Sequence, residues 1–233
     1  MIVADLHVHT TASDGTASIT EMAEAAAAHG HEYVAIADHA SGPGMVGGVG
    51  LDDDELTSHA EAIRAADETA SIELLAAVEA NIDADGSVSV DADVLSRLDC
   101  VVASPHSGLD GDGTDRLVAA IEHPEVDIIG HPTGRLLNQR PGHDIDVERV
   151  AEAAAANGTA LEINADPARL DLPGERVRIA VDAGARIAID TDAHAPGALD
   201  YARYGVHTAR RGWCERDDVL NAWPIEELQS FLH

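Results

Sequence analysis

The stretch MIVADLHVHTTASDG opens the chain and closes its first apolar run with two histidines one residue apart. In an extended strand, side chains two residues apart share a face. His7 and His9 are therefore expected to project together from a strand end, an arrangement suited to one shared metal ion. Similar groups recur after later apolar runs. Asp38-His39 follows the second, Glu79 ends the third, Ser104-Pro105-His106 follows the fourth and Gly130-His131 the fifth. Asn164 follows the sixth and Asp192-Ala193-His194 the seventh, with Asp14 in the loop after the first.

Each of these residues alone is weak evidence of chemistry, but their consistent place at one end of each run points to a metal site. His7, His9, Asp14, His39, Glu79, His106, His131, Asp192 and His194 are the candidate ligands. One metal accepts only about four to six ligands, so the set predicts two or three divalent ions with a carboxylate such as Glu79 bridging them. Imidazole and carboxylate without thiolate suit Zn, Mn or Fe(II) and argue against a structural zinc. Metals about 3.5–4 Å apart can hold a hydroxide at neutral pH and clamp a phosphoryl oxygen. Asp38 and Asp190 flank ligands and are read either as partners that orient an imidazole or as helix caps.

The elements that must position these groups are legible from periodicity. Apolar runs at 2–6, 33–37, 73–78, 99–103, 127–129, 160–163 and 186–189 read as strands, with alanine-rich helical stretches between them. Ser18-Ile19-Thr20-Glu21 is a capping-box pattern opening a helix that stops at Gly30, and residues 147–157 followed by Gly158 read alike. Residues 83–86 read as a turn, 42–50 as a glycine-rich mobile loop, and 224–232 as a closing helix. Seven strands alternating with helices predict a parallel α/β barrel, whose chemistry sits at the C-terminal ends of its strands.

Composition narrows the setting. The 233 residues suffice for one large core, and the expected organisation is a single domain over 1–233. No apolar run approaches a membrane span and no signal peptide is seen, so no membrane partner and a cytoplasmic location are expected. Cys100 and Cys214 form no motif and read as free thiols. The net charge is −29, and all 14 basic residues are arginine. An acidic, lysine-free chain resembles proteins of salt-accumulating halophiles, in which molar salt screens surface repulsion. The same charge argues against a general electrostatic grip on DNA.

DLHVHT with Asp14, AIADH, VEANI, SPHSG, GHPTGR and DTDAHAP, in that order, resemble the PHP family, named for polymerase and histidinol phosphatase. The resemblance implies a distorted seven-stranded (β/α) barrel and a trinuclear centre. His7, His9, Glu79 and Asp192 would hold one metal, Glu79, His106 and His131 a second, and Asp14, His39 and His194 a third. The aspartate at position 14 makes that third site more anionic and more suited to manganese. HTTASDGTASI, GHPTGRLL, ALEINADPARLDL and YGVHTARRGWCERDDVLN look like the C-terminal PHP domain of family X DNA polymerases, here expected as a stand-alone relative.

The function expected is a metal-dependent phosphoesterase, with Glu79, Asp192 and Arg135 as catalytic residues. Its substrate would be a nucleotide or a single-stranded nucleic-acid 3′ end, as in a 3′–5′ exonuclease. The alternatives are a phosphomonoesterase of the histidinol-phosphatase type, or a non-catalytic partner of a DNA polymerase or repair protein. Arg135 is placed to grip phosphate bidentately, with Asn164, Arg169 and Ser107 as lesser contacts. Arg210-Arg211 beside Trp213 could meet nucleic acid by charge and stacking. The reading adopted is that the tryptophan packs and the arginines pair with Glu215 and Asp217. His29, His31, His59, His123, His143, His207 and His233 are read as surface or packing residues.

Overall fold

The computed structural model describes residues 2–42 and 49–232, so His233 and most of the expected glycine-rich loop lie outside the described residues. Seven parallel strands stand in sequential order: β1 (Ala4–Val8), β2 (Tyr33–Ile36), β3 (Glu73–Asn81), β4 (Cys100–Ser104), β5 (Ile128–Ile129), β6 (Ala160–Asn164) and β7 (Arg186–Asp190). Between and after them come α1 (Ile19–Ala28), α2 (Asp53–Asp67), α3 (Ala92–Leu95), α4 (Thr114–Ile121), α5 (Val147–Asn157), α6 (Gly174–Asp182), α7 (Ala202–Arg211) and α8 (Ile225–Gln229). This is the expected (β/α)7 barrel, with each strand covered on both faces as parallel sheets require. The capping box at Ser18 and Glu21 forms, and Gly158 ends α5 with φ 76°.

Two apolar layers hold the barrel. The outer faces of the strands pack on the helices through residues such as Val8, Ile36, Val78, Leu117 and Ile163. Inside, Leu6, Tyr33, Leu75, Val102 and Ile128 form a core that Trp223 and the rest of the C-terminal segment close from below. The Tyr33 hydroxyl donates to the Trp223 carbonyl at 3.0 Å, fixing that plug at the N-terminal ends of the strands. The opposite end is left for polar groups.

The seam between β1 and β7 makes the barrel distorted. One parallel bridge, Val8 with Ala193, joins them at the top, where the His9 amide donates to Ala193 at 2.9 Å. Lower down, side chains replace the missing ladder. Asn221 Oδ1 accepts from the Ile189 amide at 2.6 Å, and its Nδ2 donates to Asp190 Oδ1 at 2.8 Å. Asp190 Oδ1 also accepts from the Leu6 amide at 2.7 Å, so one carboxylate spans the gap. The buried Asp5 and Asp190 carboxyls are both pushed up to about 7 by desolvation and by nearby carboxylates.

A one-residue register shift in β1 changes which side chains face inward. Asp5 pairs with Val34 but Val8 with Ile36, so three steps on β1 match two on β2. Such a bulge re-aims side chains. Ala4 and Leu6 belong to the interior core, yet His7 and His9, of opposite parity, also face the interior. Simple alternation would have sent one of these pairs outward.

Candidate metal centre

β1 begins later than its apolar run suggests and β3 runs on to Asn81, so His7 and Glu79 lie inside strands rather than beyond them. Both are buried above the apolar plug. The Glu79 carboxylate stands at the centre of the cluster. His39 Nδ1 lies 2.7 Å from it, His131 Nε2 2.9 Å, His106 Nε2 3.2 Å, His7 Nε2 3.3 Å and His9 Nε2 3.6 Å. Asp192 Oδ1 is 3.1 Å from His9 Nε2. On the outer side, Asp14 Oδ1 is 3.1 Å from His194 Nε2 and 3.5 Å from His39 Nε2. All nine expected ligands therefore converge at one mouth.

Buried polar atoms are ordinarily satisfied, and here a group of them is not. His7 Nε2, both His9 nitrogens, His39 Nδ1, His106 Nε2 and Glu79 Oε2 have no hydrogen-bond partner. His39 Nδ1 and Glu79 Oε2 approach to 2.7 Å without hydrogen-bond alignment, so their lone pairs look toward shared space. Three overlapping groups keep their ligand atoms within 4.8 Å of one another: His9, Asp14, His39 and His194; His7, His9 and Glu79; and His39, Glu79 and His106. The donor set fits borderline divalent cations.

The clustered groups shift one another: against the pull of burial, neighbouring carboxylates raise His7 and His39, while other imidazoles are driven neutral. Burial pulls His9 down to about 4, and burial together with Arg169 pulls His131 to about 3, so both are neutral at pH 7 with lone pairs available. Burial alone would raise Glu79, but His7, His106 and His39 around it hold its carboxyl well below the ordinary range. Against the pull of burial, Asp14 and Asp192 lift His194 to about 9. His131 at φ 24° and Asp192 at φ 54° hold left-handed backbone that only a determined surrounding maintains.

The residues that orient these imidazoles are ones the sequence reading overlooked. Glu162 Oε1 receives His7 Nδ1 at 2.7 Å while its Oε2 accepts from the His131 amide at 2.5 Å. Asn81 Oδ1 receives His106 Nδ1 at 2.6 Å. Both had a usable signal, since each lies two residues from a flagged group on the same strand and so on the same face. Asp38 and Asp190, expected to orient a ligand imidazole or cap a helix, do neither. Asp38 gathers the Thr10 amide and hydroxyl, Ser13 and His59, tying down the loop after β1, and Asp190 spans the barrel seam.

The expected substrate contacts separate. Arg135 does not enter the cluster. Its guanidinium donates to the carbonyls of Arg169 and Leu170, bracing the loop after β6. Arg169 takes the inner place, with Nε 3.3 Å from Asp192 Oδ2 and a buried Nη1 that has no partner. Asn164 is buried behind the site and donates to Asp192 Oδ2 at 3.1 Å. Ser107 is exposed at the rim, its carbonyl accepting from Arg116 at 2.6 Å.

A PHP domain match covers residues 5–166. Over 99% of its length the chain is 42% identical to the DNA polymerase/3′-5′ exonuclease PolX of Bacillus subtilis, and it spans 41% of that protein. It is 34% identical to a probable phosphatase of Caldanaerobacter subterraneus, over 83% of this chain and 76% of the other. A probable phosphatase of a Thermoanaerobacter species is 31% identical over 99% of this chain and 94% of its own. Among solved structures, histidinol phosphate phosphatase from Lactococcus lactis, complexed with zinc, L-histidinol and phosphate, shares the fold. Its TM-score is 0.58 at 18% identity, covering 88% of this chain and 93% of that one. No helix among the described residues is long and apolar enough to cross a membrane.

Proposed function

The chain belongs to the PHP domain family, and from that premise we propose a phosphoesterase with a multinuclear metal centre that acts on nucleotides or nucleic-acid 3′ ends. The observation that carries this reading is the convergence of five imidazoles on the Glu79 carboxylate, with buried ring nitrogens left unpaired around it. His7, His9, Glu79 and Asp192 would hold one cation, Glu79, His106 and His131 a second, and Asp14, His39 and His194 a third. Divalent ions held there would acidify a water and supply positive charge for phosphoryl oxygens.

The chain's own residues do the rest. Glu162 and Asn81 set the orientation of two imidazoles. Asn164 and Arg169 together hold one Asp192 oxygen, leaving the other toward His9. The free Nη1 of Arg169 is placed to meet a phosphoryl oxygen, a charge-assisted bond that strengthens as charge develops there. Arg135 acts behind it by fixing the carbonyls of Arg169 and Leu170.

Likeness to the polymerase-exonuclease over nearly the whole chain favours a nucleic-acid substrate. The full-length likeness to probable phosphatases supports a second reading, hydrolysis of a small phosphomonoester. The test is hydrolysis of para-nitrophenyl phosphate and of 5′-labelled single-stranded DNA, with manganese or zinc in molar potassium chloride. Stepwise shortening of the DNA is expected; turnover of the small ester with intact DNA would favour the second reading, and inactivity on both would defeat the proposal.

A further inference from the structure

The segment from Arg169 to Arg216 departs from the charge of the rest. It holds eight of the 14 arginines against seven carboxylates, in a chain of net charge −29. α7 presents Arg203, His207 and Arg210 at successive turns of one exposed face, with Arg211 beside them. The expected pairing of Arg210 and Arg211 with Glu215 and Asp217 does not form. Among the described residues neither guanidinium has a partner.

Trp213 does not pack either. It is 74% exposed, against 37% for Leu137 and 42% for Ile179, the other large apolar side chains that stand out. Its φ is 63°. The left-handed residue that ends a helix is ordinarily glycine, and a glycine is adjacent. Gly212, however, is spent on packing, because a Cβ there would meet Val177 Cγ1 at 2.4 Å. The turn therefore falls on Trp213 and lifts its indole into solvent, where the Arg178 guanidinium lies 5.7 Å from the ring centroid.

A groove of about 540 Å³ runs beside this face, lined by Leu170, Tyr204, His207, Thr208, Arg210 and Arg211. Leu170 adjoins Arg169, which meets Asp192 in the metal centre. The groove thus ends one residue along the chain from a side chain of the site. We propose that Arg210, Arg211 and Trp213, with this groove, form a platform for single-stranded nucleic acid that leads a strand end toward the metal centre. The arginines meet phosphates and the indole stacks on a base. Stacking requires an unpaired base, which selects a single strand over a duplex. The proposal rests on the phosphoesterase reading and names the substrate class of that site. Arginines at a helix C-terminus also complement its dipole, so the test must separate binding from stability.

Fluorescence anisotropy with a short, fluorescein-labelled phosphorothioate oligothymidylate, which resists cleavage, reads binding on the metal-loaded chain. Trp213→Gly suits the left-handed backbone, and the double variant Arg210→Gln, Arg211→Gln keeps side-chain bulk. Each is expected to weaken oligonucleotide binding about tenfold, with para-nitrophenyl phosphate turnover unchanged and melting temperature lowered by no more than the few degrees a lost dipole contact costs. The arginine pair should also flatten the dependence of log affinity on log salt by about 1.4. Variants that bind as the wild type does, or a wild type that binds no oligonucleotide, would overturn the platform. Variant-sensitive binding by a chain that hydrolyses nothing would support the platform and overturn the phosphoesterase reading instead.

Discussion

Glu162 and His7, 155 residues apart in the chain, meet at 2.7 Å through Oε1 and Nδ1. A carboxylate on Nδ1 fixes the imidazole's tautomer and turns Nε2 toward Glu79. The same carboxylate holds the His131 amide, so one side chain sets two candidate ligands.

Glu162→Gln places an amide NH2 where one of these donors now points. The variant is expected to fold and to lose about 10–100-fold in metal affinity. Metal content after dialysis against a buffered series of zinc or manganese reads the effect. Full loading at wild-type concentrations would remove Glu162 from the account.

Removing the central carboxylate should be more severe. Glu79→Gln is expected to cut phosphoesterase activity by at least about a hundredfold, since the metals supply several kcal/mol of transition-state stabilisation. Chelation of the wild type should abolish activity and lower its melting temperature, because cations that bind only the folded state stabilise it. A chelated chain that melts as before and stays active would contradict a metal centre.

Arg169 and Arg135 should part ways under mutation. Arg169→Met is expected to lower kcat/KM by more than about tenfold, through loss of a charge-assisted contact, with Asp192 still held by Asn164. Arg135→Met leaves two carbonyls without their donor, at a cost of about 1–3 kcal/mol. Urea unfolding paired with steady-state kinetics separates them. The reverse pattern would return the phosphate role to Arg135.

His31 should shape the acid limb of stability. It is buried with both ring nitrogens unpaired, and burial and then His29 pull it down to about 4. Between its ordinary value of about 6.5 and 4, the unfolded chain takes up a proton that the folded chain refuses. Stability is therefore fully present above pH 6.5 and falls as pH drops toward 4, by roughly 2–3 kcal/mol for this group. His31→Leu should flatten that limb relative to the wild type in metal-free melting curves. Parallel curves would show that His31 contributes nothing.

Charge makes a further prediction. At −29 the chain repels itself, and raising salt from about 0.1 to 1 M shortens the screening length from roughly 10 to 3 Å. Melting temperature should rise by several degrees across that range in potassium chloride. A flat response would show that repulsion among the carboxylates does not limit stability.

Much of the site was legible because its residues obey a local rule. His39, His106, His131 and His194 each follow an apolar run, and the barrel collects all such positions at one mouth. Glu162 escaped because it sits inside its strand, where an apolar context invites reading it as part of the run, and Asn81 because the strand continues three residues past the run ending at 78. Arg135 was favoured over Arg169 by distance along the chain from a histidine. Which of the two reaches inward depends on the path of the loop after β6, and no spacing encodes that.

The amino-acid order by itself determined the alternation of strands and helices, the parallel barrel that follows from it, and the ring of imidazoles and carboxylates at one rim. These are consequences of period and position along a few neighbouring residues. The tertiary structure alone decided the rest. The bulge that turns His7 and His9 inward, the seam held by Asn221 and Asp190, and the exposure of Trp213 each depend on contacts between distant segments. Asp190 reaches Leu6 across 184 residues, and only closure of the barrel brings such pairs together.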